Sequence, residues 1–235
     1  MILGFAANNP AQRWHLDLVL SYLLVALGAY LLGSIPFGFL VAKARGIDIR
    51  SAGSGNIGAT NAMRVLGKPI GIGVLLLDAF KGYAACALLP PLIFNWLAPH
   101  FSGLFVHFQH TPLELQIRFY VVAGICAVLG HNYTCWLKFK GGKGIATTAG
   151  VYLALAPWPL LIAFIVFILA VAVTRYMSVG SITAALALPA AVWVMPPHNL
   201  LLGSVTTALG ALAIYKHKSN IQRLRAGTEY RFGKK

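Results

Sequence analysis

Acidic side chains are scarce in this chain, which has five Asp and Glu residues against 19 Lys and Arg. Outside the apolar segments, the side that carries most of the positive charge has only Asp48 and Glu229, while Asp78 lies within an apolar segment. A site that holds Mg²⁺ through several carboxylates needs more oxygen ligands than these. The sequence therefore predicts no metal centre, and we expect no cofactor.

Signals for covalent catalysis and for nucleotide hydrolysis are also missing. The chain has no G-x-S-x-G sequence, and neither His131 nor His217 is followed by Asp at the spacing of an H-x-x-x-x-D acyltransferase motif. Lys143 is followed by Gly144, whereas the phosphate loop of nucleotide hydrolases has Ser or Thr at that place. An acyl-enzyme intermediate and ATP binding are therefore both disfavoured.

Cysteine is rare as well, and its positions carry no chemical pattern. The three cysteines, Cys86, Cys126 and Cys135, all lie in apolar segments. They show neither the spacing of a metal site nor that of a disulfide framework. We interpret them as small residues of the core.

Apolar side chains, by contrast, are abundant: 58% of the residues are hydrophobic, and the mean hydropathy is +0.74. A helix needs about 20 apolar residues to cross a bilayer. We predict an all-α polytopic integral membrane protein in which residues 1–235 form one membrane-embedded domain with about seven transmembrane helices. The predicted spans are 16–42, 69–97, 116–137, 143–156, 157–175, 178–196 and 199–216. The fourth span is short and meets Pro157, so a tilted, broken or half-buried helix is an alternative there.

Most of the Lys and Arg residues fall on one side of the membrane if these spans alternate in direction. They lie in the segments 43–68, 138–143 and 216–235. Because Lys and Arg favour the cytoplasmic side, we predict that the N-terminus is outside and the C-terminus is in the cytosol. Membrane orientation and contact with the lipid bilayer thus explain the net charge, and no nucleic-acid binding is expected.

Two glycine-rich stretches have the composition of anion sites. The first, 50–68, carries Ser54, Asn56 and Arg64; such a loop can wrap an anion or a polyol, or serve as a flexible connector. The second, 136–150, places Lys143 in a glycine run whose backbone N–H groups can turn toward one anion. A basic turn that sets membrane orientation is the alternative for this stretch. The run consists of Gly141, Gly142 and Gly144.

A third polar stretch lies between the fifth and sixth predicted spans. Arg175 precedes a helix that carries Ser178 and Ser181 three residues apart. Helix N–H groups, hydroxyls and a guanidinium can then all face one phosphate. Arg175 by itself is also an ordinary orientation signal.

The fourth polar stretch is the basic tail. His217 and Asn220 stand three residues apart there, and Glu229 follows. Anionic lipid headgroups explain the lysines and arginines of the tail, but they do not explain Glu229.

Two features inside the apolar segments need an explanation of their own. Asp78 and Lys81 stand three residues apart on one helix face, and an internal salt bridge is the favoured interpretation because unpaired charges in a membrane are costly. His131, shortly before the lysine loop, is either a ligand contact or a histidine of the core. The external loop 98–115 carries no pattern that we can interpret.

Three stretches together resemble the signature regions of a known family. GSGNIGATN, GHNYTCWLKFKGGKGIAT and HKSNIQRLRAGTE occur in order over nearly the whole chain, and they are similar to those of the bacterial acyl-phosphate:glycerol-3-phosphate acyltransferases, the PlsY family. The resemblance implies an enzyme of the bacterial cytoplasmic membrane with its active site on the cytoplasmic side. It also implies transfer of an acyl group from acyl phosphate to the 1-hydroxyl of sn-glycerol 3-phosphate, the first acylation of phospholipid biosynthesis. Residues 134–136 depart from the family pattern, which bears on the acyl chain and not on the reaction.

The hypothesis that follows from the resemblance assigns two substrate sites. We expect acyl phosphate to be held by Ser54, Asn56, Arg64, Gly141, Gly142, Lys143 and Gly144. We expect glycerol 3-phosphate to be bound by Arg175, Ser178, Ser181, His217 and Asn220. The expected catalytic residues are Lys143, His217 and Asn220, whereas the expected supporting residues are His131, Glu229, Asp78 and Lys81. The hydroxyl proton goes to His217 or, as we favour, to a substrate phosphate, and the good leaving group of acyl phosphate makes an enzyme nucleophile unnecessary.

Two other functions use similar contacts. A transporter or flippase for an organic phosphate would bind the same anions, but we would expect polar residues along its interior and symmetry between its halves. An acyl-CoA or acyl carrier protein donor would need a docking surface larger than these short loops offer.

Overall fold

The computed structural model describes residues 10–97 and 112–233. These ranges form helices and connecting turns without any β-strand, and the predicted all-α class is therefore confirmed. Most of the loop predicted at 98–115 lies outside the described residues.

The helices follow one another with short connections. The chain begins with α1 (Pro10–Ser34) and, after a break at Pro36, α2 (Phe37–Lys43). The later helices are α3 (Ala59–Leu66), α4 (Lys68–Tyr83), α5 (Leu113–Asn132), α6 (Ile145–Leu155), α7 (Pro157–Thr174), α8 (Met177–Val194), α9 (Leu200–Lys216) and α10 (Lys218–Arg225). Helix α4 continues as wider π-helical turns, Ala84–Leu88 and Ile93–Leu97, around the prolines of Leu89–Leu92.

Five helical segments of the described chain are long and apolar enough to cross a membrane: Leu18–Lys43, Lys68–Asn95, Leu113–Leu137, Pro157–Thr174 and Met177–Val194. Helices α9 and α10, bent by 52° at their junction, form a sixth candidate. The predicted span 143–156 is instead the 11-residue helix α6, about 16 Å long, which is too short to cross the hydrocarbon layer alone. Helix α6 ends because Ala156 leaves the helical region and Pro157 begins the next helix. Seven crossing helices therefore remain a prediction.

Glycines let the backbones of neighbouring helices touch. A Cβ atom on Gly150 of α6 would lie 1.8 Å from the Ala79 carbonyl oxygen of α4, and one on Gly82 would lie 2.2 Å from the Thr147 carbonyl oxygen. Helices in a membrane approach one another most closely where such small residues meet. This contact fixes the beginning of α6, and with it the lysine loop, against α4.

Hydrogen bonds to backbone carbonyls tie the helix ends on the same side of the bundle. The Thr134 hydroxyl donates to the Ser34 carbonyl (2.6 Å), and the Tyr30 hydroxyl donates to the Tyr133 carbonyl (2.7 Å). The Lys216 ammonium donates to the Asn132 carbonyl (2.9 Å). These bonds join α1, the segment after α5 and the end of α9. The loops at this end therefore start from fixed positions.

The α4–α6 contact can be tested with a pair of glycine substitutions. We expect Gly150→Ala to destabilise the protein by about 1–3 kcal/mol, because a methyl group has no room beside the Ala79 carbonyl. Gly73→Ala on α4 is the control, since nothing lies within 4 Å of its added Cβ atom. Thermal unfolding in detergent should show a lowered midpoint for the first variant alone. Equal midpoints for the two variants would contradict the close contact.

Candidate active site

The structure brings the four polar stretches together around one cavity of about 460 Å³. The polar and charged side chains that line it include Ser54, Asn56, Arg64, Lys143, Ser178, Ser181, His217, Asn220, Arg223 and Glu229. They come from the first loop, the lysine loop, the beginning of α8, and the tail. Segments that are far apart in the sequence thus form one site.

Three of the expected site residues, Gly141, Gly142 and Arg175, do not line this cavity. The N–H groups of Gly141 and Gly142 donate to the carbonyls of Asn132 (3.2 Å) and His131 (3.0 Å). Arg175 is exposed, lies outside the cavity lining, and ends α7 in a left-handed conformation with φ 62°. Lys143 and Gly144 are the members of the glycine run that reach the cavity.

The first loop is shaped by a buried asparagine that has no expected role in binding. The Asn61 side-chain oxygen accepts from the Ser54 N–H (2.8 Å), while its amide donates to the carbonyls of Asn56 (2.8 Å) and Ala52 (3.0 Å). Asn61 therefore holds Ser54 and Asn56 in place beside the cavity. The sequence showed the asparagine, but it did not show that its side chain turns inward.

Both carboxylates that line the cavity are already paired. Glu229 lies 2.7 Å from the Arg223 guanidinium, and Asp78 lies 2.8 Å from the Lys81 ammonium, which confirms the predicted internal salt bridge. In the described chain, Arg64 and Lys143 have no carboxylate within salt-bridge distance. The cavity therefore has uncompensated positive charge, as an anion site requires.

Glu229 is held in its charged form. Burial raises the pKa of its carboxyl, but hydrogen bonds from Asn220 and Arg223 outweigh this and lower the pKa below its usual value. The Asn220 amide donates to Glu229 at 2.7 Å, and the Asn220 oxygen accepts from the Lys143 ammonium. Glu229 thus orients the Asn220 amide, and this amide in turn accepts the hydrogen bond from Lys143. This supports the interpretation of Glu229 as a structural residue.

Lys143 and His217 have pKa values suited to a neutral imidazole beside a cation. Burial lowers the pKa of Lys143 to about 8; the charge of Glu229 opposes this shift, and the charges of Arg223 and Arg64 add to it. Burial and the charge of Lys143 lower the pKa of His217 to about 4. The His217 Nδ1 atom lies 2.7 Å from the Ala213 carbonyl oxygen, which can only accept, so Nδ1 carries the proton. The Nε2 atom is then left as a hydrogen-bond acceptor.

The lysine loop packs against the side chain of His131. Its Nδ1 atom lies 3.5 Å from the Asp78 carboxylate, and a Cβ atom on Gly142 would lie 2.1 Å from its Nε2 atom. The ring is 5% exposed, and its Nε2 edge is covered by Gly142. Because His131 also lines the cavity, both interpretations of this residue, ligand contact and core histidine, stay open.

An apolar pocket of about 200 Å³ adjoins the polar cavity. The two share wall residues that include Ile145, Ala146, Phe167 and Met177. The pocket continues between α6, α7, α8 and α9 as far as Tyr152, Leu188 and Thr206. No sequence pattern indicated it, because its walls have the same composition as the lipid-facing and core positions of any membrane helix.

The fold and the cavity define an integral membrane protein with a cationic site that adjoins an apolar pocket. The sequence model of the glycerol-3-phosphate acyltransferase family matches residues 23–227, and the chain belongs to that family. The glycerol-3-phosphate acyltransferase of Geobacter metallireducens is 49% identical over 210 residues, which are 89% of this chain and 97% of the relative. That of Geotalea daltonii is 44% identical over 209 residues, with 89% and 96% covered.

Solved structures support the same assignment. The crystal structure of PlsY (YgiH), an integral membrane glycerol 3-phosphate acyltransferase, in its glycerol 3-phosphate form is 39% identical and has a TM-score of 0.75. The match covers 91% of this chain and 96% of that chain. The lysophosphatidic acid form of PlsY gives a TM-score of 0.72. The resemblance to the PlsY family is thereby confirmed, and the chain is an acyltransferase.

The pKa of Lys143 predicts how the activity depends on pH. Because the pKa is about 8, the ammonium is charged below pH 8 and loses its proton above it, so we expect kcat/KM to fall on the alkaline side. Lys143→Arg keeps its charge to far higher pH, and its remaining activity should lack this decline. Initial rates of both proteins from pH 6 to about 10 test this. The same alkaline decline in both would show that another group titrates.

Proposed function

We propose that the protein transfers an acyl group from acyl phosphate to the 1-hydroxyl of sn-glycerol 3-phosphate. The products are lysophosphatidic acid and inorganic phosphate, and this is the first acylation of phospholipid biosynthesis. The observation that carries the proposal is the junction of a cavity with uncompensated positive charge and an apolar pocket. Such a junction suits a donor that has a phosphate at one end and a hydrocarbon chain at the other.

The acyl phosphate is held with its chain in the apolar pocket and its phosphate among Arg64, Lys143, Ser54 and Asn56. Arg64 and Lys143 supply full charge, and the two smaller side chains, held by Asn61, supply polar contacts. Gly144, at the beginning of α6 with φ 81°, lets the backbone come close to the phosphate. The peptide groups of Gly141 and Gly142 take no part in this cradle.

Glycerol 3-phosphate binds next to Ser178, Ser181, His217 and Asn220 in the same cavity. The neutral His217 accepts a hydrogen bond from a glycerol hydroxyl through Nε2, which orients this hydroxyl toward the acyl carbonyl. Arg175 is left out of this site because it lies outside the cavity. The glycerol 3-phosphate form of PlsY supports such a substrate for this family.

In the reaction, the glycerol hydroxyl oxygen attacks the acyl carbon, and the bond from this carbon to the phosphate oxygen breaks. The ester forms, inorganic phosphate leaves, and the hydroxyl proton passes to a substrate phosphate. Lys143 stabilises the negative charge that develops on the leaving phosphate. His217 directs its Nδ1 proton to the Ala213 carbonyl, and burial lowers its pKa, so in this proposal it orients the hydroxyl and a substrate phosphate takes the proton.

The Ser181 hydroxyl is not arranged as a nucleophile. The Ser181 hydroxyl donates to the Met177 carbonyl at 2.9 Å, and the proton on His217 Nδ1 is directed to the Ala213 carbonyl and not to a carboxylate. A serine nucleophile needs a base within hydrogen-bond reach, which is itself oriented by a third group. Direct transfer between the two substrates requires neither.

The site lies on the cytoplasmic side of the bacterial inner membrane under this proposal, with the N-terminus outside. The loops that form the cavity carry most of the Lys and Arg residues, as cytoplasmic loops do. Glycerol 3-phosphate, a polar metabolite, then reaches the cavity from the cytosol. The acyl donor reaches the pocket from the bilayer.

The proposal is tested by incubating the purified protein with labelled glycerol 3-phosphate and one acyl donor at a time. The donors are acyl phosphate, acyl-CoA and an acyl carrier protein thioester. We expect labelled lysophosphatidic acid with acyl phosphate alone. Lys143→Ala should lower the rate about 100-fold, because it removes a charge from the leaving phosphate. Lys140→Ala is the matched control, since Lys140 is exposed and outside the cavity lining.

Two results would contradict the proposal. If lysophosphatidic acid formed only with a thioester, the donor would be that thioester and not acyl phosphate. Uptake of glycerol 3-phosphate into vesicles without any lysophosphatidic acid would favour a transporter.

A further inference from the structure

We propose that Tyr230 is a positioning residue, whose ring holds the Arg64 guanidinium at the cavity so that its charge stays available to a substrate phosphate. This inference rests on the proposed function and adds to it a residue that none of the signature stretches includes. Under the proposed function this phosphate is that of acyl phosphate, and the experiment below distinguishes it from the phosphate of glycerol 3-phosphate.

The contact between the two side chains is direct. The Arg64 Cζ atom lies 4.2 Å from the centre of the Tyr230 ring. Both residues line the cavity, although Arg64 is in the last turn of α3 and Tyr230 lies beyond the last helix. A guanidinium at this distance from an aromatic face is attracted by the negative face of the ring.

The backbone around Tyr230 is fixed on both sides. Before it, the Thr228 N–H donates to the Arg223 carbonyl (2.9 Å), and the Glu229 carboxylate accepts from Asn220 (2.7 Å). After it, the Phe232 N–H donates to the Arg175 carbonyl (2.6 Å). The tail segment 228–232 therefore crosses the site as a strap, and these hydrogen bonds hold the backbone of Tyr230, a residue that is 48% exposed, next to Arg64.

An aromatic partner has a consequence that a carboxylate partner would not have. Arg223 is paired with Glu229 at 2.7 Å, so its charge is already compensated. Arg64 has no carboxylate partner in the described chain, and its buried Nε atom has no hydrogen-bond partner there. A guanidinium commonly stacks its flat face on an aromatic ring, and its N–H groups then stay free to donate to a phosphate. Tyr230 thus orients Arg64 without neutralising it.

The same strap provides a matched control. The ring of Phe232 lies 5.9 Å from the Lys68 ammonium, and neither of these residues lines the cavity. A carboxylate at position 232 would therefore meet a cation outside the site. A carboxylate at position 230 would meet the cation within it.

The experiment compares Tyr230→Phe, Tyr230→Leu and Tyr230→Glu with the control Phe232→Glu. Each KM is measured with the other substrate saturating, so a rise identifies the phosphate that Arg64 binds. We expect Tyr230→Phe and Phe232→Glu to match the unaltered protein. Tyr230→Leu should raise one KM roughly two- to fivefold, the value of an exposed cation–π contact, with kcat retained. Tyr230→Glu should raise it about tenfold or more, because the carboxylate takes the charged hydrogen bonds of Arg64.

Binding of inorganic phosphate to the same purified variants, measured by calorimetry, provides a readout that does not depend on turnover. If the unaltered protein forms no lysophosphatidic acid, the proposed function fails, and the order of phosphate affinities still decides the role of Tyr230. Unchanged KM values and phosphate affinities in Tyr230→Leu and Tyr230→Glu would overturn the inference. A loss in Tyr230→Phe as large as in Tyr230→Leu would overturn it too, because the hydroxyl would then be the essential group.

Discussion

The pairing of carboxylates with cations inside the cavity is the constraint on which the site depends. Glu229 is committed to Arg223, and Asp78 is committed to Lys81. A chain with more acidic residues could neutralise its remaining cations internally, and the cavity would then hold no anion. The site therefore keeps its net positive charge because Asp and Glu are scarce in the sequence. The two carboxylates that line the cavity have specific cationic partners.

The close packing of helices explains why these loops meet at all. Gly150 and Gly82 bring the backbones of α6 and α4 into contact, and the Gly142 peptide rests on the ring of His131. Each of these positions lacks room for a side chain. The lysine loop is consequently held against neighbours that are already fixed by the bundle, so that Lys143 points into the cavity without help from a longer loop.

Much of the site was predictable from the sequence, since the polar stretches are conspicuous in an apolar chain and glycine marks their turns. The direction of each group was not predictable. The amides of Gly141 and Gly142 turn to the end of α5 because of hydrogen bonds between segments, and Arg175 lies outside the cavity lining. The apolar pocket and the contact of Tyr230 with Arg64 also depend on distant segments, which no local spacing records.

The shortness of α6 has a further consequence for how the product leaves. This helix is about half as long as the hydrocarbon layer is thick, and its first residues, Ile145 and Ala146, form the border between the polar cavity and the apolar pocket. Under the proposed reaction, the new ester forms at this border, with its acyl chain already in the apolar pocket. The product can then leave by lateral diffusion into the bilayer, and its acyl chain does not have to pass through water.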